Sequence, residues 1–264
     1  MSNKFLETLS ASPARARLSR RDLLGFAAKG AASVVVSQSV LLACAAGAAG
    51  ATDSASTTGT TVTTTGPRCV LTAALTEGPF FVDEKLNRSD IRTDPGSGAV
   101  AAGIPLALAF NVSRVANSAC TPLTSAYLDV WHCDSTGTYS DVSGSSRKFL
   151  RGYQITDANG VAAFTTIYPG WYGGRAVHIH FKLRLYAGSS KTYEFTSQFF
   201  FDDTFTDSVY TQAPYSSRGS RDTRNASDGI YNSLSTNDKV GLTLQTSKTA
   251  DGYGGVINLG VNVG

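Results

Sequence analysis

From residue 68 onward the chain is built of short apolar runs separated by turn residues. Strands are expected at residues 104–112, 126–133, 152–156, 161–167, 177–186, 193–201 and 256–263, and Asp157-Ala158-Asn159-Gly160 supplies a turn between two of them. Past the first 44 residues no long segment keeps a 3.6-residue apolar period. Seven or more short strands in about 195 residues predict an all-β domain over residues 68–264. The expected form is a β-sandwich of mostly antiparallel strands with long loops. The polar, irregular stretch 216–238 reads as a long surface loop of the kind that borders a site.

The strand at 177–186 changes the picture, because it carries two of the only three histidines, His178 and His180. Side chains alternate across a strand, so both imidazoles share one face. Val177, Ile179, Phe181, Leu183 and Leu185 take the other face, which must be the core, and the histidines line up with Lys182 and Arg184. Two histidines converging away from an apolar face point to a metal rather than to packing. Two histidines with a carboxylate would suit Fe(II). The third histidine, His132, would complete a zinc site of a metallohydrolase, although it shares its strand face with Ala126, Leu128 and Val130 and so reads as packed. Two histidines with tyrosinates would suit Fe(III), because a hard anionic phenolate stabilises the ferric state. Tyr168 lies ten residues before His178 at a strand end, and Tyr139 follows another strand.

The amino terminus reads as an address. Ser19-Arg20-Arg21-Asp22-Leu23-Leu24 is a twin-arginine pattern, and the apolar stretch after it is broken by Gly25, Lys29, Gly30, Ser33, Ser37 and Gln38. Residues 1–44 are therefore expected to be a twin-arginine signal peptide, directing the protein to the periplasm or outside the cell. Leu41-Leu42-Ala43-Cys44 resembles a lipobox. Two outcomes stand open: a membrane-anchored lipoprotein held through Cys44, or plain cleavage between residues 43 and 49. Residues 45–67, rich in Ala, Gly, Ser and Thr, read as a flexible linker. The address also accounts for the charge. The whole chain carries +3, but residues 1–44 hold six basic and two acidic groups, leaving 17 basic against 18 acidic beyond them. With no basic stripe in the remainder, nucleic acid is not an expected partner.

Of the four cysteines, Cys69, Cys120 and Cys133 remain in an oxidising compartment once Cys44 is cleaved or lipidated. Cys120 and Cys133 sit near opposite ends of one expected strand, too far apart to bridge. Cys69 is then expected to pair with Cys120 or with Cys133. No CxxC is present, which removes the ribbon and thioredoxin readings.

One succession of motifs is specific. Thr76-Glu77-Gly78-Pro79-Phe80-Phe81 is followed by Leu128-Asp129-Val130-Trp131 and, after it, Gly137 and Tyr139. Then come Tyr168-Pro169, Arg175 with His178 and His180-Phe181, and Ser197-Gln198-Phe199-Phe200-Phe201. In order and spacing this resembles the intradiol ring-cleavage dioxygenases, a group that includes catechol, hydroxyquinol and protocatechuate dioxygenases. The resemblance implies one non-haem Fe(III) per chain, held by Tyr139, Tyr168, His178 and His180. It implies that Tyr168 is released when substrate chelates the metal and then acts as a base. Arg175 would lie over the substrate ring with Gln198 nearby, and Gly78 and Pro79 would line the pocket. The reaction implied takes a small aromatic diol and O2 to a cis,cis-muconate-type diacid. Phe80-Phe81 departs from the pattern, since many members carry one or two tyrosines there, and no long helical amino-terminal region is present. The competing expectation is a secreted β-sandwich module that binds a ligand without catalysis.

Overall fold

The computed structural model describes residues 70–263, apart from 118 and 143. The expected signal peptide, the linker, Cys44 and Cys69 lie outside the described residues. Nine strands are present: β1 (Pro105–Ala116), β2 (Ala119–Pro122), β3 (Tyr127–Trp131), β4 (Arg151–Ile155), β5 (Val161–Ile167), β6 (His178–Ala187), β7 (Ser190–Phe201), β8 (Thr243–Lys248) and β9 (Tyr253–Val261). Between β7 and β8 lie α1 (Asp203–Tyr210), α2 (Gly229–Asn232) and α3 (Thr236–Leu242). The fold is all-β. Its strands run in the order β2-β1-β9-β8-β7-β6-β3-β4, with β5 also paired to β1. Six of the pairings are antiparallel, while β1 with β9 and β7 with β8 are parallel.

The sheet curls on itself, and β8 makes the corner. Its first two residues pair with β7, and from Gln245 it pairs with β9. Strand β1 alternates as a half-covered strand should, with Leu106, Leu108, Phe110 and Val112 all buried. From β1 the Phe110 ring meets Phe181 of β6 at 5.8 Å and Phe199 of β7 at 5.9 Å, so the core lies between the two arms of the curl.

Strand β6 departs from that alternation, because every residue from His178 to Arg184 is buried. Ile179, Phe181 and Leu183 enter the core as expected. The opposite face, with His178, His180, Lys182 and Arg184, is covered by residues 73–83, an arm with no regular secondary structure of its own. The arm is pinned to β7 by Leu75 N–H on the Thr196 carbonyl (3.0 Å), Ser197 Oγ on the Ala73 carbonyl (2.7 Å) and Gln198 Nε2 on the Thr76 carbonyl (2.7 Å). A buried charge costs several kcal/mol unless paired, and the arm supplies the partners. Glu77 pairs with Lys182, whose ammonium also sits 3.9 Å from the Phe81 ring centre, and Asp83 pairs with Arg184 at 2.8 Å. Asp129 of β3 closes on Arg184 from the other side at 2.6 Å.

The expected strands are all present within a few residues of their bounds. Strands β2 and β8 and the helices were not expected, and the stretch 216–238 is not a bare loop, since it contains α2, the start of α3 and two short 3-10 turns. Cys120 belongs to β2, separated by a turn from β3, rather than to one strand shared with Cys133. Cys120 is disulfide-bonded, whereas Cys133 is a buried free thiol that donates to the Gly170 carbonyl, so Cys133 is not the bridged partner of the two.

Candidate metal centre

His178 and His180 stand on the covered face at the start of β6. Register sets Gln198 of β7 beside His180 on one flank and Trp131 of β3 on the other, and the indole stacks on the His180 ring at 5.0 Å with 9° between planes. The His178 Nδ1 lies 2.6 Å from the Ala176 carbonyl, a contact that requires the proton on Nδ1 and leaves a lone pair on Nε2. That Nε2 faces the His180 Nε2 at 3.1 Å. Burial first, then the nearby Arg175 cation, lowers the His178 pKa to about 3. Burial and the neighbouring His178 hold His180 well below its ordinary value. Both rings are therefore neutral, which is the form that ligates metals.

Two tyrosines complete the group. The Tyr172 hydroxyl lies 3.1 Å from His178 Nε2. Tyr139 packs edge-on to Tyr172 at 5.7 Å and to His180 at 6.2 Å. The Tyr139 hydroxyl is buried without a well-aligned protein hydrogen bond, the Tyr172 hydroxyl being the polar group it interacts with. Burial raises both phenols by more than the nearby Arg175 cation lowers them, so both stay protonated. The two imidazole Nε2 atoms, the Tyr172 hydroxyl and the adjacent Tyr139 phenol thus cluster, and a hard cation among them would be offered four donors. The donor set fits Fe(III).

The turns that bring the tyrosines in are tightly packed. Asp134 Oδ1 accepts from the backbone N–H groups of Thr136 (2.8 Å) and Thr138 (3.0 Å), folding the loop that ends at Tyr139. A Cβ on Gly170 would fall 2.5 Å from the carbonyls of both Asp134 and Ser135. The strand-end turn at 169–171 can therefore press against that loop only with glycine at its centre.

Of the residues singled out from the sequence, Tyr139, His178 and His180 come together, and Tyr168 does not join them. It remains in the core, its hydroxyl 2.8 Å from Thr206 Oγ1 and its ring 4.5 Å from Phe201. Tyr172, four residues on, occupies the position expected of it. His132 is also apart. Its Nδ1 contacts the Cys133 carbonyl at 2.8 Å and its Nε2 the Thr166 hydroxyl at 2.6 Å, so both nitrogens are used in packing. Among the described residues no three of His, Cys, Asp and Glu gather in a way that could hold a metal, which removes the three-histidine zinc arrangement.

Arg175 and Gln198 do reach the centre. Arg175 Nη1 lies 3.5 Å from His178 Nε2, and Nη2 donates to Gln198 Oε1 at 2.7 Å. Its Nε donates to Asp228 at 2.9 Å. Asp228, fully buried, was not expected from the sequence. It also accepts from Ala176 N–H (2.7 Å) and caps α2 through Ile230 N–H (2.7 Å) and Tyr231 N–H (3.0 Å). Burial would raise this carboxyl, but the backbone donors and Arg175 outweigh it and keep it below the usual range, hence ionised. On the open side, Gly78 at φ +70 would set a Cβ 3.4 Å from His180 Cε1, Pro79 is exposed beside it, and Phe80 stacks on Tyr139 at 4.3 Å.

Known proteins match this chain on the same ground. The family model described as Dioxygenase matches residues 76–217. The chain is 31% identical over 134 residues to catechol 1,2-dioxygenase 2 of Acinetobacter lwoffii, a match covering 42% of this chain and 45% of that protein. It is 32% identical over 98 residues to hydroxyquinol 1,2-dioxygenase of Corynebacterium glutamicum, covering 37% and 31%. The chain thus spans less than half the length of these two curated relatives. A solved intradiol ring-cleavage dioxygenase from Tetranychus urticae superposes with a TM-score of 0.63 at 28% identity, covering 74% of this chain and 95% of that one.

Proposed function

The chain belongs to the intradiol ring-cleaving dioxygenase family, and on that premise we propose that it is an Fe(III) enzyme holding its iron through Tyr139, Tyr172, His178 and His180. The observation that carries this is the meeting of His178 Nε2, His180 Nε2 and the Tyr172 hydroxyl at 3.1 Å contacts, with Tyr139 alongside. Held by these four side chains, a ferric ion would supply the Lewis acidity that activates a catechol ring toward O2. Tyr172 is the half-buried member of the four, on a loop rather than a strand. It is the group suited to swing aside, its Oη taking a proton from the incoming diol. Arg175 stabilises charge developing on the substrate oxygens, held to that task by Gln198 and Asp228. Gly78, Pro79 and Phe80 wall the ring's seat, and the Trp131 stack fixes His180. Catechol plus O2 equals the ring-opened muconate-type diacid atom for atom, so no further reductant is required. The reading is tested by the product formed from substituted catechols under O2.

Export follows from the amino-terminal pattern. We propose twin-arginine transport to the periplasm or beyond, with Cys44 as the candidate lipid anchor. Arg20→Lys with Arg21→Lys is expected to leave the precursor in the cytoplasm in a fractionation experiment, and normal export of the double variant would refute the route.

A further inference from the structure

Arg151 opens β4 and is 3% exposed, yet it makes no ion pair among the described residues. The carboxylates of Asp141 and Glu84 act on it only through space. The guanidinium instead spends its donors on neutral acceptors. Nε donates to Ser140 Oγ at 3.0 Å, Nη2 to the Ser140 carbonyl, and Nη1 to the Phe80 carbonyl at 3.2 Å. The Arg151 carbonyl is itself gripped by Arg88, through Nε at 3.0 Å and Nη2 at 2.7 Å. Register places Arg151 opposite Trp131, the ring stacked on His180. A buried cation on neutral partners is a poor stabiliser, so its placement asks for another reason.

The two segments it ties give that reason. Ser140 is the chain neighbour of Tyr139, and Phe80 belongs to the arm that walls the centre. The Phe80 and Tyr139 rings stack at 4.3 Å, with 22° between planes, directly beside the clamp. A planar fork can hold a carbonyl on one segment and a hydroxyl with its carbonyl on another in fixed relation, whereas a lysine ammonium has no such geometry.

We infer that Arg151 is a positioning residue for the centre, one that sets the Phe80 wall against the Tyr139 ligand and so fixes both the ligand's approach and the width of the substrate's seat. The inference rests on the iron reading given above. It makes Arg151 and Phe80 act as one unit. Arg151→Lys keeps the charge and loses the fork. It is expected to raise KM for catechol by about tenfold or more, the scale of losing a hydrogen bond to a charged group, with a smaller change in kcat and a displaced tyrosinate-to-iron absorption band. Phe80→Ala is expected to raise KM comparably. In the Phe80→Ala background Arg151→Lys should add little, because the wall it holds is already gone. Ser140→Ala removes a single acceptor, and as the mildest change it should reproduce the band displacement in part if Arg151→Lys fails to fold. Additive KM effects of Arg151→Lys and Phe80→Ala, or an unmoved band in both Arg151→Lys and Ser140→Ala, would overturn the inference while leaving the iron reading intact. A wild-type protein that takes up iron without a coloured band would overturn both.

Discussion

Tyr172→Phe is expected to lower turnover by about 10²–10⁴-fold, the range for losing a positioned acid–base group, and to weaken the visible tyrosinate band of the iron-loaded protein. The hydroxyl removed is the one 3.1 Å from His178 Nε2, and Tyr139 would be left as the sole phenolate. Tyr168→Phe should behave quite differently. Among the described residues its hydroxyl bonds only Thr206, at 2.8 Å inside the core, so colour and turnover should stay within a few-fold of wild type. The loss should appear as about 0.5–1.5 kcal/mol of stability in urea unfolding, the net value of one neutral hydrogen bond. The ranking decides between the two residues. A Tyr168→Phe variant that is colourless beside a coloured, active Tyr172→Phe variant would return the ligand role to Tyr168.

Asp228→Ala should produce the largest loss of stability among the residues around the centre. It strips a fully buried carboxylate that serves Arg175, Ala176 N–H and two N–H groups of α2. Breaking a buried ion pair from one side costs about 3–5 kcal/mol. The released guanidinium would no longer be aimed past His178, and a misaimed electrostatic group typically costs about 10²–10³-fold in turnover. Asp228→Asn keeps an acceptor for the α2 cap but loses the charge facing Arg175. It should therefore retain more stability than activity. Equilibrium unfolding and kcat/KM measured on both variants separate the two contributions, and wild-type values in Asp228→Ala would show that Arg175 is held by other means.

These expectations also mark how far the sequence could be read. The period-two pattern on 177–186 placed both histidines on one face and the apolar residues in the core, and β6 follows it residue by residue. That pattern carries no information on whether the polar face is open or covered. The cover is residues 73–83, an irregular arm whose pairing of Glu77 with Lys182 and Asp83 with Arg184 has no period to detect. That Tyr172 rather than Tyr168 stands beside the histidines has a similar origin. Tyr168 ends an apolar run and so looked like a side chain leaving a strand toward a site, whereas the run continues into the core at that position. Tyr172 reaches the histidines only because the Gly170 turn packs against the Asp134 loop, a tertiary contact. Asp228 lay in a stretch without apolar periodicity. Its one local signal, an Asp heading Gly229-Ile230-Tyr231, marks a helix cap but not a partner 53 residues away. Strand β8 was missed because Thr243-Leu244-Gln245-Thr246-Ser247-Lys248 contains a single apolar residue, although it forms the corner of the whole sheet.

The central claim is the cut itself, and product analysis tests it most directly. Iron-loaded protein incubated with catechol under isotopically heavy O2 should consume one O2 per ring opened. The product should be a cis,cis-muconate-type diacid, with labelled oxygen in the carboxyl groups formed where the bond between the two hydroxyl-bearing carbons broke. A semialdehyde from cleavage beside the diol, or a protein that binds catechol and iron yet consumes no O2, would contradict the account.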